Sequence, residues 1–226
     1  MHLQIDYQAT WDLVRRQLAS LFDYHPPEDD HALEPAFKEA IHRCEKCFAA
    51  IRTKYFQRDG RPYFNPFHTG QYSIFLYYLA NSVWRLNPGH TSLADRIYYL
   101  NKALNGLDIY YEVELPEIFY LDHAVGSVLG RGKYGNYFHF FQNCTVGNNK
   151  GIYPRFGEYV CLMAGARVLG DSTIGDYVIF SANCYVKDQD IPSQSLVFGA
   201  SPQLIIKQKD REYFRERLQL WFFIPA

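Results

Sequence analysis

The sequence predicts an α+β chain: a helical N-terminal half, then a parallel β-helix built from hexapeptide repeats, then a short C-terminal helix. Two observations carry this. Up to about residue 105, apolar residues recur at three- and four-residue steps, the period of one helix face. After Gly106 a period of six replaces it, and Phe156, Leu162, Val168, Ile174, Phe180 and Val186 follow one another at that interval. The expected domains are residues 1–105, 106–207 and 208–226.

In the helical half, Trp11, Val14, Leu18 and Leu21 form one stripe, and Pro26-Pro27 ends the element because proline cannot donate to a helix. Asp30 is placed to cap a second helix that runs to Ala50, with Leu33, Phe37, Ile41, Cys44 and Phe48 facing inward. Gly60 to Gly70 holds two prolines and two glycines and reads as a loop. A third helix is expected from about Gln71 to Arg85. Asn87-Pro88-Gly89 turns the chain into a fourth, from about Ser92 to Leu104.

The six-residue period starts earlier than Phe156. Val128, Tyr134, Phe140 and Val146 share the spacing, and Ile109, Leu115 and Leu121 form a run displaced from them by one residue. Four positions after the apolar residues of the last run stand Val160, Ala166, Ser172, Val178 and Cys184, mostly small. A β-sandwich alternates with period two and varies in strand length, so a strict hexad means short straight segments joined by corners of fixed size. Three hexads close a triangular coil of about 18 residues, and coils stack as parallel ladders about 4.8 Å apart. Four extra residues fall in Gly147-Asn148-Asn149-Lys150-Gly151. A stacked coil must loop them outward, which makes that loop a natural wall of a site.

Composition excludes several functions. Hydrophobic residues make up 48% of the chain, and 23 Lys and Arg oppose 24 Asp and Glu for a net charge of -1. Nucleic acid and anionic membranes are therefore set aside as partners. The longest apolar run, Ser73 to Trp84, is broken by Asn81 and is short of the roughly 20 residues a membrane span needs. The N-terminus carries Asp6 and Asp12 with no apolar core, so no signal peptide is expected. Cysteines at 44, 47, 144, 161 and 184 do not read as a disulfide framework, and a cytoplasmic, reducing compartment fits them better. Cys44 and Cys47 form a lone CxxC without a second pair, so no metal is expected.

Several segments then resemble one family. Leu121-Asp122-His123-Ala124-Val125-Gly126 followed by Val128-Leu129-Gly130, Gln142 to Gly147, Tyr153-Pro154-Arg155-Phe156-Gly157, and Val197 to Pro202 are similar to the signature of the serine acetyltransferases, which are hexapeptide acyltransferases. The resemblance covers about Leu107 to Ile206, with patchier agreement in the helical half. It implies that the β-helix is left-handed, against the usual rule for parallel crossovers. It also implies a trimer or dimer of trimers, and acetyl-CoA as the donor co-substrate.

The chemistry agrees with that resemblance. Moving an acetyl group from a thioester to a hydroxyl needs a base for the hydroxyl proton, and a histidine oriented by a carboxylate suits the task. His123 and Asp108 are 15 residues apart, close to one coil, and the resemblance makes them base and partner. Asp122 matches a position that binds the acceptor's amino group, and Asp59 loosely matches an acidic acceptor-site position. A solvated loop acid is the plain reading of Asp59. The pantetheine arm is expected along Ala164, Gly165, Ala182 and Gly199, with Lys187 meeting a phosphate. The same small residues also suit tight coil corners. His139 reads as structural, and His2, His25, His31, His42, His68 and His90 share no spacing.

One departure bears on the acceptor. In the resembling family the two residues before the loop proline are Arg and His and help to hold the serine carboxylate. Here they are Ile152 and Tyr153. Tyr153 can donate one hydrogen bond but brings no charge, so a free α-carboxylate loses a charge-assisted partner unless Arg131, Lys133 or Arg155 replaces it. L-Serine is the first acceptor by resemblance. A sugar of a surface polysaccharide or its precursor is the second, and a non-catalytic trimeric β-helix scaffold is the third reading.

The tail from Asp210 to Leu220 reads as a charged helix. It ends in Trp221-Phe222-Phe223-Ile224, which would be costly to expose and is expected to dock on a neighbouring coil. Pro225-Ala226 follow Ile224, whereas the resembling family ends in an Ile that enters a partner sulfhydrylase, so that complex is not expected here.

Overall fold

The computed structural model describes residues 1–89 and 91–224; His90 and the terminal Pro225-Ala226 lie outside the described residues. The chain divides into two compact units, Met1–Ala49 with Lys54–Glu112, and Ala50–Thr53 with Val113–Ala226.

The first unit holds α1 (Tyr7–Leu21), α2 (Glu28–Ala50), α3 (Thr69–Leu86) and α4 (Thr91–Asn105). Asp6 caps α1 by accepting from the Ala9 N–H at 2.7 Å, satisfying one of the orphan donors of the first turn. Val14 and Leu18 are buried as the stripe predicts, whereas Leu21 is exposed. Asp30 does not cap α2. It lies inside the first turn, where its carboxylate accepts from Arg15 Nη2 at 3.1 Å and from the Tyr24 hydroxyl at 2.5 Å. α3 is the central helix, buried from Gln71 through Val83, which explains its apolar character on every face. Its buried amide is matched, since Asn81 Nδ2 donates to the Tyr111 carbonyl at 2.7 Å and its Oδ1 accepts from Arg43.

The expected loop from Gly60 contains more order than its glycines and prolines suggest. Gln57–Arg58 and Arg61–Phe64 form an antiparallel hairpin, and Arg61–Phe64 also pairs in parallel with His2–Leu3. Asp59 and Gly60 make the turn at φ +52° and +70°, the left-handed pair that a two-residue hairpin turn demands.

The second unit is a parallel β-solenoid of about five turns. Leu121, Phe140, Leu162, Phe180 and Val197 stand in register along one inward column, and all are buried. Phe156 pairs with Ile174, and Ile174 with Ile191, along another, with the Tyr134 ring stacked on Phe156 at 5.4 Å. The small positions Ala166, Ser172 and Cys184 are buried at the corners, where two backbone segments meet too closely for larger side chains.

The remaining column corrects one expectation. Leu129, not Val128, continues Val146, Val168 and Val186; Leu129 is buried while Val128 is 43% exposed. From Leu121 the next inward residue is eight positions on, and the one after it, Tyr134, only five. The two irregularities nearly cancel, so a count in sixes lands one residue early. The four-residue insertion is where the period places it: Val146 pairs with Val168 and His139 with Cys161, each 22 residues apart, whereas Val168 pairs with Val186 at 18.

Ser195–Ala200 and Gln203–Gln208 close the coil as an antiparallel hairpin. α5 (Arg211–Leu218) follows, capped by Asp210, which accepts from the Tyr213 N–H at 2.9 Å. The helix docks on the coil of its own chain. Phe214 and Leu218 pack with Tyr159 and Tyr177, flanked by Tyr137, Ile179, Leu196 and Trp221. Beyond it the chain is tied to residues 50–52: Arg52 N–H donates to the Trp221 carbonyl at 2.7 Å and Phe223 N–H to the Ala50 carbonyl at 2.8 Å. No described helix is long and apolar enough to cross a membrane.

Candidate active site

The irregular corner after Leu121 carries His123. In three successive rungs the corner steps directly from Phe141 to Gln142, from Met163 to Ala164 and from Ser181 to Ala182. The ladder places Asp122 level with Phe141, and Val125 level with Gln142, because Asp122 N–H donates to the Phe140 carbonyl and Asn143 N–H to the Val125 carbonyl. Two extra residues, His123 and Ala124, are therefore pushed out of this rung alone. The bulge closes through Val125 N–H donating to the His123 carbonyl at 2.7 Å, with His123 at φ +51°, a region few non-glycine residues occupy. Its imidazole is 85% exposed, and Nε2 lies 3.5 Å from Asp122 Oδ1.

The bulge leads into Gly126, the first residue of a groove of about 420 Å³ along the coil corner. Gly126, Asn143, Gly165 and Asn183 stack there, all with φ between +56° and +77°. At Gly165 a Cβ would come within 2.3 Å of Asn183 Oδ1, so the packing of the corner itself accounts for a glycine here. Ala164, Gly165 and Ala182, expected to border the donor, all line this groove. Gln142, Thr145 and Arg167 line it too and were not anticipated. Arg167 brings a cation, and its signal was its place beside the small corner residue Ala166.

The other expected residues are elsewhere. Gly199 lies in the closing hairpin, opposite Leu204 at φ +84°. Lys187 is exposed, with its N–H donating to Ser201 Oγ at 3.1 Å. Neither borders the groove. Asp59 occupies the exposed apex of its hairpin in the first unit, the conformation that explains it without a ligand. Asp108, also in the first unit, accepts from the Tyr98 hydroxyl at 2.7 Å and from Lys102 Nζ at 2.6 Å. The hydrogen bond to Asp108 raises the Lys102 pKa, while burial first and Asp108 second raise that of Tyr98.

The insertion loop is a tight hairpin. Asn149 and Ile152 exchange both backbone hydrogen bonds at 3.0 Å, and Lys150 and Gly151 turn at φ +52° and +82°. Asn149 Nδ2 donates to Asp188 Oδ2 at 2.5 Å, which fastens the loop to the coil. Tyr153 lies over Gly130, where a Cβ would meet its Cε1 at 2.8 Å, and its hydroxyl accepts from Asn148 Nδ2 at 3.4 Å. Ile152 is exposed. Of the cations near this loop in sequence, Arg155 is engaged by Asp171 and Thr173, each at 3.2 Å.

His139 is fully buried and is not among the residues that line the corner groove. It sits between Tyr120, Phe141 and Trp221, with ring centroids 4.6–4.8 Å away, and its Nε2 has no hydrogen-bond partner. Among the described residues no three His, Cys, Asp or Glu side chains converge as metal ligands, and all five cysteines are free and buried.

No protein-family profile matches the chain. Serine acetyltransferase of Staphylococcus aureus strain N315 is 27% identical over 157 residues, 62% of this chain and 67% of the relative. That of Staphylococcus epidermidis strain ATCC 12228 is 26% identical over 160 residues, 64% and 68% of the two chains. Among solved structures, serine acetyltransferase from Brucella abortus strain S19 superposes with a TM-score of 0.64 at 22% identity, over 87% of this chain and 81% of that one. A serine acetyltransferase in complex with CoA gives 0.63 at 22% identity, over 78% and 75%. Isoform 3 from Entamoeba histolytica, in complex with cysteine, gives 0.62 at 22% identity, over 92% and 73%. The chain is similar to serine acetyltransferases in sequence and shares their fold.

Proposed function

We propose that this chain, an acyltransferase of the serine acetyltransferase type, moves an acetyl group from acetyl-CoA to an acceptor hydroxyl with His123 as general base. The observation that carries the reading is the bulge that extrudes His123 from the coil, beside Asp122, at the head of the corner groove. His123 takes the hydroxyl proton. The acceptor oxygen attacks the thioester carbonyl, the C–S bond breaks, and the thiolate of CoA leaves and is protonated. No enzyme nucleophile is needed, and the buried cysteines are poorly placed to supply one.

Asp108 is proposed as the carboxylate that orients His123, on their 15-residue spacing. Asp122 is proposed to take the acceptor's amino group, Tyr153 to border the acceptor, and Ala164, Gly165 and Ala182 to border pantetheine. A trimer in a cytoplasmic setting accompanies this reading. The exposed aliphatic side chains Val125, Val128 and Ile152 are the kind of surface a second subunit covers.

L-Serine is the first acceptor. A sugar is the second, favoured by Tyr153, whose ring can stack on a pyranose and whose neighbour Ile152 supplies no charge for a carboxylate. The test is CoA release from acetyl-CoA, read with a thiol reagent, against L-serine and a panel of sugars and nucleotide sugars. Turnover with serine that vanishes in His123→Ala supports the first acceptor, and turnover with a sugar alone supports the second. Activity unchanged in His123→Ala overturns the mechanism.

A further inference from the structure

We infer that His139, Cys161 and Met163 form a binding site for a soft monovalent cation, copper(I) or silver(I). The three donors come from two neighbouring rungs of the coil. Cys161 pairs with His139 across the ladder, and Met163 follows two residues on. Cys161 Sγ lies 3.6 Å from His139 Nδ1 and 3.7 Å from Met163 Sδ. A thiol carries one hydrogen, so it can satisfy only one of these neighbours at a time. A single cation set between the three satisfies all of them. With bonds of about 2.0–2.1 Å to nitrogen and about 2.3 Å to sulfur, both separations correspond to angles of about 110° at the metal, near tetrahedral.

The surroundings select the cation. His139 and Cys161 are fully buried, and the rings of Tyr120, Phe141 and Trp221 enclose the imidazole. Burial pushes the His139 pKa down to about 3, which leaves the ring in the neutral form that ligates metals. Burial also raises the pKa of the Cys161 thiol, so a bare thiolate is disfavoured there. Metal entry exchanges one charge for another. The S–H bond breaks, a bond from sulfur to the metal forms, and one proton leaves to solvent; no electron moves. A thiolate with a monovalent cation is neutral, whereas zinc(II) would leave a net positive charge in an apolar setting. Thiolate and thioether sulfur also select copper(I). With a thioether as its third donor, the trio differs from the His, Cys, Asp and Glu clusters that suit zinc.

Met163 provides the way in. It is half-buried and lines a groove of about 430 Å³ between the coil and α5, so a cation in that groove meets the thioether first. His139 Nε2 has no hydrogen-bond partner, and no competing bond at that atom turns the ring away from Cys161.

The experiment has two arms. In the first, the full chain is titrated with copper(I), held reduced by ascorbate and buffered by bicinchoninate, and the product is measured by X-ray absorption at the copper edge. The expected result is an equivalent of copper with both imidazole and sulfur neighbours. It should be lost in Cys161→Ser, lose its imidazole neighbour in His139→Phe, and persist in Cys44→Ser. In the second arm silver(I) is titrated against tryptophan fluorescence. The Trp221 ring lies 4.6 Å from that of His139, so quenching should end at one equivalent and be absent in Cys161→Ser. If Cys161→Ser does not fold, Met163→Leu takes its place and should remove one sulfur neighbour and weaken binding. No binding to the unaltered protein, an equivalent that survives in Cys161→Ser, a shell of sulfur alone, or displacement of copper(I) by an equal concentration of zinc(II) overturns the inference.

Discussion

His123 Nε2 stands 3.5 Å from Asp122 Oδ1, with His123 at φ +51° on a two-residue bulge that the next three rungs of this corner do not repeat. The regular rungs step straight from one face to the next, and this one turns an imidazole outward. His123→Ala should lower kcat/KM by about 10²–10⁴, the usual contribution of a general base. Asp122→Asn should chiefly raise the KM for an acceptor that carries an amino group. The kinetics of both variants with acetyl-CoA and the best acceptor decide it, and a wild-type rate in His123→Ala refutes the assignment.

Leu129 points into the coil and Val128 out of it. Leu129→Ala should therefore cost about 2–5 kcal/mol, and Val128→Ala should stay within about 0.5 kcal/mol for the isolated chain. Urea unfolding of both variants checks this, and the opposite order would show the register to be wrong.

His139 is enclosed by aromatic rings, and burial pushes its pKa down to about 3 from an ordinary value near 6.5. The folded state thus holds it neutral while the unfolded chain binds the proton. Its contribution is intact above pH 6.5 and is lost as the pH falls from there toward 3, by about 1.4 kcal/mol per pH unit. His139→Phe removes that term. Melting temperature against pH should fall less steeply for the variant than for the parent between pH 6 and 4, and parallel curves would rule the effect out.

Phe222 is buried against Tyr120, Tyr137 and His139, and the chain on either side is hydrogen-bonded to residues 50–52. Phe222→Ala should cost about 3–5 kcal/mol and expose the Arg52 and Phe223 amides to early hydrogen exchange. Unchanged protection at those amides would mean that the tail is not held by this ring.

How much of this was legible depended on whether a feature repeats. The inward residues from Phe156 to Val186, which alternate among three columns, could be read because each face of the coil poses the same packing problem and solves it with the same kind of residue. The insertion after Val146 was equally plain, since the structure absorbs all four residues in one hairpin. The bulge at His123 was not legible, because its two extra residues are almost offset by one fewer between Leu129 and Tyr134. Only their sum, a displacement by one, reached the pattern. Arg167 escaped notice for a related reason: a polar residue on an outward face looks like any solvated position until the corner beside it proves to be a groove.

The sequence by itself determined the helical half, the hexad coil, the break that carries the loop, and the histidine with its neighbouring aspartate. Periodicity and local motifs are properties of neighbours along the chain. Tertiary structure alone decided which of Val128 and Leu129 faces the core. It alone enclosed His139 among the rings of Tyr120, Phe141 and Trp221 and brought α5 over the coil of its own chain. These relations join residues from 17 to more than 80 positions apart, and they exist only once the ladders and the apolar tail have closed on each other.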